Sequence, residues 1–184
     1  MIHERGYWLS TDETDTHMFD QQLCDEIIRI FLSSEAPTVA DIGCGNGAYT
    51  KALNEAGFIC KGWDGSPLTT ELTGGVCEVL DFSQPVDIGM HDIVLCLEVG
   101  EHIPVEYEQV FIDNVVKSSL KFIIMSWAIV GQSGYGHFNC RDNDYVISEM
   151  EMRGCRYLEE TTDQLRLAST LPWFKRTIMV FSKW

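Results

Sequence analysis

Positive charge is what this 184-residue sequence has least of: 13 Lys and Arg stand against 28 Asp and Glu, a formal net charge of −15. Such an excess repels nucleic-acid backbones and anionic membranes at long range. No basic tract offsets it, since Arg153, Arg156 and Lys175-Arg176 are scattered. A nucleic-acid partner is therefore not expected. Long apolar runs are also missing. The opening Met-Ile-His-Glu-Arg has no signal-peptide core, and no stretch reaches the roughly eighteen apolar residues of a membrane span. No membrane association is expected, and the location expected is cytoplasmic. The seven cysteines (24, 44, 60, 77, 96, 140 and 155) are never closer than fifteen residues, so no C-x-x-C zinc spacing exists. An odd number, with Cys60 and Cys96 inside apolar strands, suits free thiols in a reducing compartment. The five histidines (3, 17, 91, 102 and 137) show no H-x-x-x-H spacing, so no metal site is expected.

No repeat, low-complexity tract or linker divides the chain. With 45% apolar and 22% charged residues it reads as an ordinary globular protein. One domain over 1–184 is expected, with 1–36 an arm and helix able to act as a lid, and little room for a separate substrate domain. Phe19, Leu23, Ile27, Ile30 and Phe31 recur at helical spacing, and Pro37 closes that region. Strands are expected at 39–42, 58–64, 76–80, 92–97 and 121–130, with helices over about 48–56, 106–116 and 143–152. Two further strands are expected near the end, one from Arg156 through Leu158 and beyond, the other over 177–181. Strands alternating with helices predict a parallel α/β sheet covered on both faces, where ligands gather at the carboxyl ends of the strands.

The densest signal is Val39-Ala-Asp41-Ile-Gly43-Cys44-Gly45-Asn46-Gly47. Glycines at alternate positions let the backbone turn tightly and lie against a ligand with no Cβ in the way. Gly43-x-Gly45-x-x-Ala48 also satisfies the loose dinucleotide fingerprint. Asp41 argues the other way, because a carboxylate beside a pyrophosphate gains nothing. It suits a ligand offering donors or positive charge, such as S-adenosylmethionine. A plain strand-to-helix turn is the third reading. Asp64, Asp81 and Leu97-Glu98 fall at further strand ends, which strengthens the case for a ligand site.

These residues resemble the class I S-adenosylmethionine-dependent methyltransferases, from about Thr38 to the C-terminus. The resemblance implies a Rossmann-like, doubly wound, mostly parallel seven-stranded sheet with a C-terminal antiparallel strand. It implies that Asp41 and the loop Gly43, Cys44, Gly45, Asn46 and Gly47 hold the cofactor's amino acid and ribose portions. It likewise places Asp64, with Gly65 and Ser66, at the ribose hydroxyls, and Asp81 with Phe82 at the adenine. Leu97-Glu98-Val99-Gly100-Glu101-His102-Ile103-Pro104 resembles the E-x-x-E-H-I/L-P segment that lines the cofactor and the methyl-transfer opening. Tyr7 and Trp8 are candidates for a lid over the cofactor, with His17 nearby.

Methyl transfer is an in-line displacement on a sulfonium carbon, so the protein supplies positioning and sometimes a base. Catalytic candidates are His137, Glu98 and His102. The loop Gly134-Tyr-Gly-His137-Phe-Asn139-Cys-Arg141 offers His, Asn and Arg at alternate positions that could point one way. O- or N-methylation of a small molecule is the function expected. A protein or peptide methyltransferase, a non-catalytic partner that keeps the cofactor fold, and an NAD(P)-dependent oxidoreductase are the alternatives.

Overall fold

The computed structural model describes residues 1–10, 17–32 and 37–183; residues 11–16 and 33–36 of the expected arm and helix lie outside the described residues. The strands are β1 (Thr38–Ile42), β2 (Ile59–Asp64), β3 (Cys77–Val79), β4 (His91–Cys96), β5 (Ser119–Met125), β6 (Cys155–Tyr157) and β7 (Met179–Lys183). They form one seven-stranded sheet in the order β3-β2-β1-β4-β5-β7-β6. Every pairing is parallel except those of β7, which runs antiparallel to both β5 and β6. The helices are α1 (Gln21–Phe31), α2 (Ala48–Glu55), α3 (Thr69–Leu72), α4 (Glu108–Lys117), α5 (Asn143–Met152), α6 (Glu159–Ala168) and α7 (Phe174–Thr177).

Strand alternation builds a core on each face, because successive side chains point to opposite sides of the sheet. Ala40, Ile42, Val94, Cys96, Ile123 and Met125 pack with Phe111, Ile112 and Val115 of α4 and Val146 and Met150 of α5. Val39, Ile93, Leu95, Ile124 and Val180 face the other way, against Leu23 and Ile27 of α1, Leu53 of α2 and Leu165 of α6. Asp20 locks the second layer. Its carboxylate caps α1 through the Leu23 N–H and accepts from the Ser169 hydroxyl and the Thr170 and Leu171 N–H groups at 2.6–3.0 Å. Burial alone would raise this carboxyl, yet the donors hold it below its ordinary value.

The expected fold is the observed one, with three local corrections. β5 stops at Met125 rather than running to Val130; just beyond it, Ser126 donates its N–H to the Cys96 carbonyl at 3.0 Å and takes the Glu98 N–H on its hydroxyl at 2.8 Å, which ties the turn after β4 to the end of β5. The continuation after Leu158 is a helix, α6, and not strand. Thr162 and Leu165 are its buried positions, three apart, and the Thr162 hydroxyl accepts the Val180 N–H at 3.0 Å. A helical turn, α7, also precedes β7. Among the described residues no helix is long and apolar enough to cross a membrane.

Candidate active site

A cavity of about 720 Å³ opens at the carboxyl ends of β1, β2 and β4, within the roughly 300–1,000 Å³ of small-molecule sites. Of the expected residues, Asp41, Gly43, Cys44, Gly45, Asn46, Asp64, Gly65, Asp81, Phe82, Leu97, Glu98, Val99, His102, His137, Tyr7 and Trp8 all line it. Two do not. Gly47 starts α2 at φ 75° and backs onto Thr73 and Cys77. Ser66 is buried below the wall, where its hydroxyl accepts the Leu68 N–H.

The glycine loop turns its amides inward. Gly43 and Cys44 both donate to the Trp63 carbonyl at 2.7 and 3.0 Å, and Gly47 donates to the Cys44 carbonyl at 2.9 Å. Gly45 donates to Asp64 Oδ2 at 3.0 Å, and Asn46 Oδ1 takes the Ala48 N–H at 3.1 Å. A helix N-terminus binds phosphate through just such N–H groups; here those of Gly43, Cys44, Gly45, Gly47 and Ala48 are already bonded. Gly43 is required by space as well as by its φ of 75°, since a Cβ there would lie 2.3 Å from Val99 Cγ2.

The acids divide between anchoring and facing the cavity. Asp41 is fully buried, takes the Thr50 hydroxyl on Oδ2 at 2.6 Å, and is pushed up to about 7 by burial, against that hydrogen bond. A positive charge in the cavity would favour its ionised form. Asp64 accepts Gly45 on one oxygen and Ser66 N–H on the other, which fixes its plane and leaves a lone pair on each. Asp81 takes Arg5 Nη1 at 3.1 Å and the Ser83 N–H at 2.9 Å.

The N-terminal arm forms the roof. Ile2 and Trp8 make an isolated antiparallel bridge. Tyr7 stacks on His3 and covers Gly65, and the Trp8 ring meets His17, His102 and Tyr135 edge-on. Arg5 and the placement of His17 against Gly45 were not readable from the sequence. The arm has no regular pattern, and only packing onto the strand ends gives these residues a position.

The opposite wall is built by the turn after β4 and the loop after β5. Glu98 is the only non-glycine with positive φ among the described residues, at 52°. That strain is typical of functional turns. Its carboxylate takes Gln132 Nε2 at 2.8 Å and the Thr177 hydroxyl at 3.3 Å. The 3-10 turn Gly100–His102 follows, lying flat on Trp127, whose Cε3 would sit 2.3 Å from a Cβ on Gly100. Glu101 thereby points inward and is 0% exposed. Burial first, then the Glu98 carboxylate, hold its carboxyl well above the ordinary range. His102 donates from Nδ1 to the Gly136 carbonyl at 3.0 Å, and burial and the neighbouring His137 lower it to about 4.

The loop 134–141 does not aim its three polar groups one way. His137 faces the cavity, whereas Asn139 Nδ2 and Arg141 Nε turn back to the buried Glu108 at 2.8 and 2.7 Å, joined by the Tyr145 hydroxyl. Glu101, His102 and His137 each bring a metal-ligating atom to within 4.8 Å of the others. The absence of H-x-x-x-H spacing along the chain therefore did not prevent such a group from forming in space.

Sheet order, the reversed β7 and a ligand-sized cavity at the strand ends define the fold of class I S-adenosylmethionine-dependent methyltransferases. Comparison with solved structures agrees. Magnesium protoporphyrin IX methyltransferase from Synechocystis PCC 6803 with bound SAH superimposes at a TM-score of 0.68 with 18% identity, covering 89% of this chain and 83% of that one. TehB from Haemophilus influenzae superimposes at 0.68 with 13% identity, covering 95% and 65%. A ubiquinone biosynthesis O-methyltransferase of Methylococcus capsulatus is 30% identical over 116 residues, 55% of this chain and 48% of that protein. The match thus spans about half the length of that curated relative. No family model matches the chain.

Proposed function

We propose that the protein is an S-adenosylmethionine-dependent methyltransferase acting on a small molecule or short polar group, by O- or N-methylation. The observation that carries the reading is the chemistry of the cavity: Asp41, Asp64, Asp81 and Glu98 line it, while the N–H groups of Gly43, Cys44, Gly45, Gly47 and Ala48 are bonded within the protein. Carboxylates suit an ammonium, ribose hydroxyls and an adenine amino group; they oppose a dinucleotide. The cofactor, when bound, supplies the electrophilic methyl on a sulfonium sulfur.

This chain's residues then have separable tasks. Asp64, held planar by Gly45 and Ser66, receives the ribose hydroxyls. Asp81 and Phe82 take the adenine, with Arg5 keeping Asp81 oriented. Tyr7 and Trp8 close the roof and exclude water. Glu98, His102 and His137 stand on the acceptor side as the groups that orient the acceptor, and Glu98 receives its proton. The N-terminal roof and the loop 131–137 confine the opening, which favours a small acceptor over a folded protein. The whole chain acts as one domain with its arm as lid, in the cytoplasm.

Isothermal titration with S-adenosylhomocysteine and with NAD tests this reading. Saturable binding of the former alone is expected. NAD binding with no response to S-adenosylhomocysteine overturns it. Turnover on a panel of hydroxyl and amine metabolites then separates an enzyme from a non-catalytic partner.

A further inference from the structure

The acceptor wall contains a carboxylate that the protein leaves without a hydrogen-bond partner. Neither Oε1 nor Oε2 of Glu101 is bonded, although the side chain is wholly buried. The Glu98 carboxylate and the N–H groups of Glu101 and Ala128 all stand near it, but none meets hydrogen-bond geometry. A buried carboxyl group with no hydrogen-bond partner is costly for a fold to keep.

The two histidines beside it are oriented in the same sense. His102 Nδ1 faces the Gly136 carbonyl at 3.0 Å and His137 Nδ1 faces the Gln132 carbonyl at 3.2 Å. A carbonyl only accepts, so each ring carries its proton on Nδ1 and leaves the Nε2 lone pair free. His137 Nε2 lies 4.0 Å from Glu101 Oε1, and the two rings meet edge to face with centroids 5.1 Å apart. Metal-bound histidines show this arrangement, with one nitrogen tethered to a backbone carbonyl and the other directed at the ion. Glycines make the approach possible: His137 lies over Gly134, where a Cβ would stand 2.1 Å from Nε2, and Gly136 adopts φ 77° so that its carbonyl reaches His102.

We infer that Glu101, His102 and His137 bind a divalent first-row transition metal ion on the acceptor side of the cavity. Two imidazoles and a carboxylate, with no thiolate in the set, suit Zn2+, Mn2+ or Fe2+. Three protein ligands leave positions open, and His102 and His137 both line the cavity, so the open positions face the acceptor. The inference rests on the methyltransferase reading and narrows it to an acceptor that bears a hydroxyl. A metal-bound hydroxyl loses its proton more readily. Glu98 takes that proton, the oxygen lone pair forms the new O–C bond, and the S–C bonding pair returns to sulfur as the neutral thioether leaves. Glu98 sits beside Glu101 with its own carboxylate held by Gln132 and Thr177, so it serves as the base and not as the principal ligand.

The test is direct binding of Mn2+ and Zn2+ to the full chain after chelator stripping. Titration calorimetry and Mn2+ electron paramagnetic resonance read the binding, with a thermal melt alongside. One ion per chain and a raised melting temperature are expected. Glu101→Gln and His137→Ala are each expected to weaken binding about tenfold or more, and to abolish the metal-induced thermal shift. His137 is on a loop, so its variant keeps the test valid if Glu101→Gln fails to fold, which circular dichroism reports. No stoichiometric binding, or stoichiometric binding that neither substitution alters, overturns the inference. S-adenosylhomocysteine affinity is measured on the same metal-free samples. If it binds while no metal does, the metal site alone fails; if metal binds and it does not, the methyltransferase reading fails.

Discussion

The two walls of the cavity differ in one acid, Glu101. On the cofactor wall every acid has donors from the protein: Thr50 for Asp41, Gly45 and Ser66 for Asp64, Arg5 and Ser83 for Asp81. On the acceptor wall Glu98 has Gln132 and Thr177, whereas Glu101 is buried with neither oxygen bonded. The first wall is organised before any ligand arrives, with its carboxylates fixed in plane and lone pairs to spare. The second keeps a buried carboxyl group without a hydrogen-bond partner next to two free imidazole nitrogens. A fold tolerates that cost where a ligand resolves it. The contrast separates binding geometry that is complete from chemistry that awaits its partners.

Substitutions that affect one wall alone test this contrast. The largest effect is expected from Trp127→Ala, which removes the floor under Gly100 and frees the Asn139 carbonyl, which now accepts the indole N–H at 2.6 Å. A loss of about 3–5 kcal/mol in urea unfolding is expected, the range for deleting a buried aromatic. Where the chain remains folded, S-adenosylhomocysteine binding should fall less than turnover. An equal fall would mean that the two walls are one cooperative unit.

Asp41→Asn comes next, and its sign is the informative part. The folded carboxyl titrates at about 7, against 3.8 for the unfolded chain. Between those values the native state holds more protons, so the ligand-free protein loses stability as pH rises from about 4 to 7, and the loss is complete above that. Asparagine keeps the Thr50 hydrogen bond without the buried charge. It should stabilise the ligand-free protein at pH 8 by about 2–4 kcal/mol, at roughly 1.4 kcal/mol per pKa unit, and by less at pH 5. It should also weaken cofactor binding. A variant less stable than the parent at pH 8 contradicts the assignment of an unfavourable buried charge.

Asp64→Ala should cost about 1–3 kcal/mol of S-adenosylhomocysteine affinity, the scale of charge-assisted hydrogen bonds, with turnover at saturating cofactor nearly kept. Unchanged affinity would remove Asp64 from the ribose role. Smallest is Arg5→Ala. The Arg5–Asp81 pair is partly exposed, so the melting temperature should hold while S-adenosylhomocysteine dissociates faster in stopped-flow, because the roof loses its tether.

Much of the wall proposed for the cofactor was legible because its signal is local. Asp41, Asp64 and Asp81 each end or follow a short apolar strand, and the glycines stand within a few residues of the first. Where the sequence reading failed, a local pattern met a tertiary demand. The Glu159–Ala168 segment has a polar surface and few buried positions, so nothing marked it as helix before Thr162 was seen bonding Val180. Asn139 and Arg141 alternate with His137 along the chain, yet the buried Glu108 turns both away from the cavity.

By itself, the sequence determined the alternation of strands and helices, and the placing of acids and glycines at strand ends, because periodicity and glycine conformational freedom act within a few residues. Only the tertiary structure decided that Glu101 points inward. It also decided that His137, thirty-five residues beyond His102, returns to meet it. The reason is packing. The turn Gly100–His102 must lie flat on Trp127, and the loop after β5 must close over it. That mutual burial, which no local pattern records, sets the direction of three side chains.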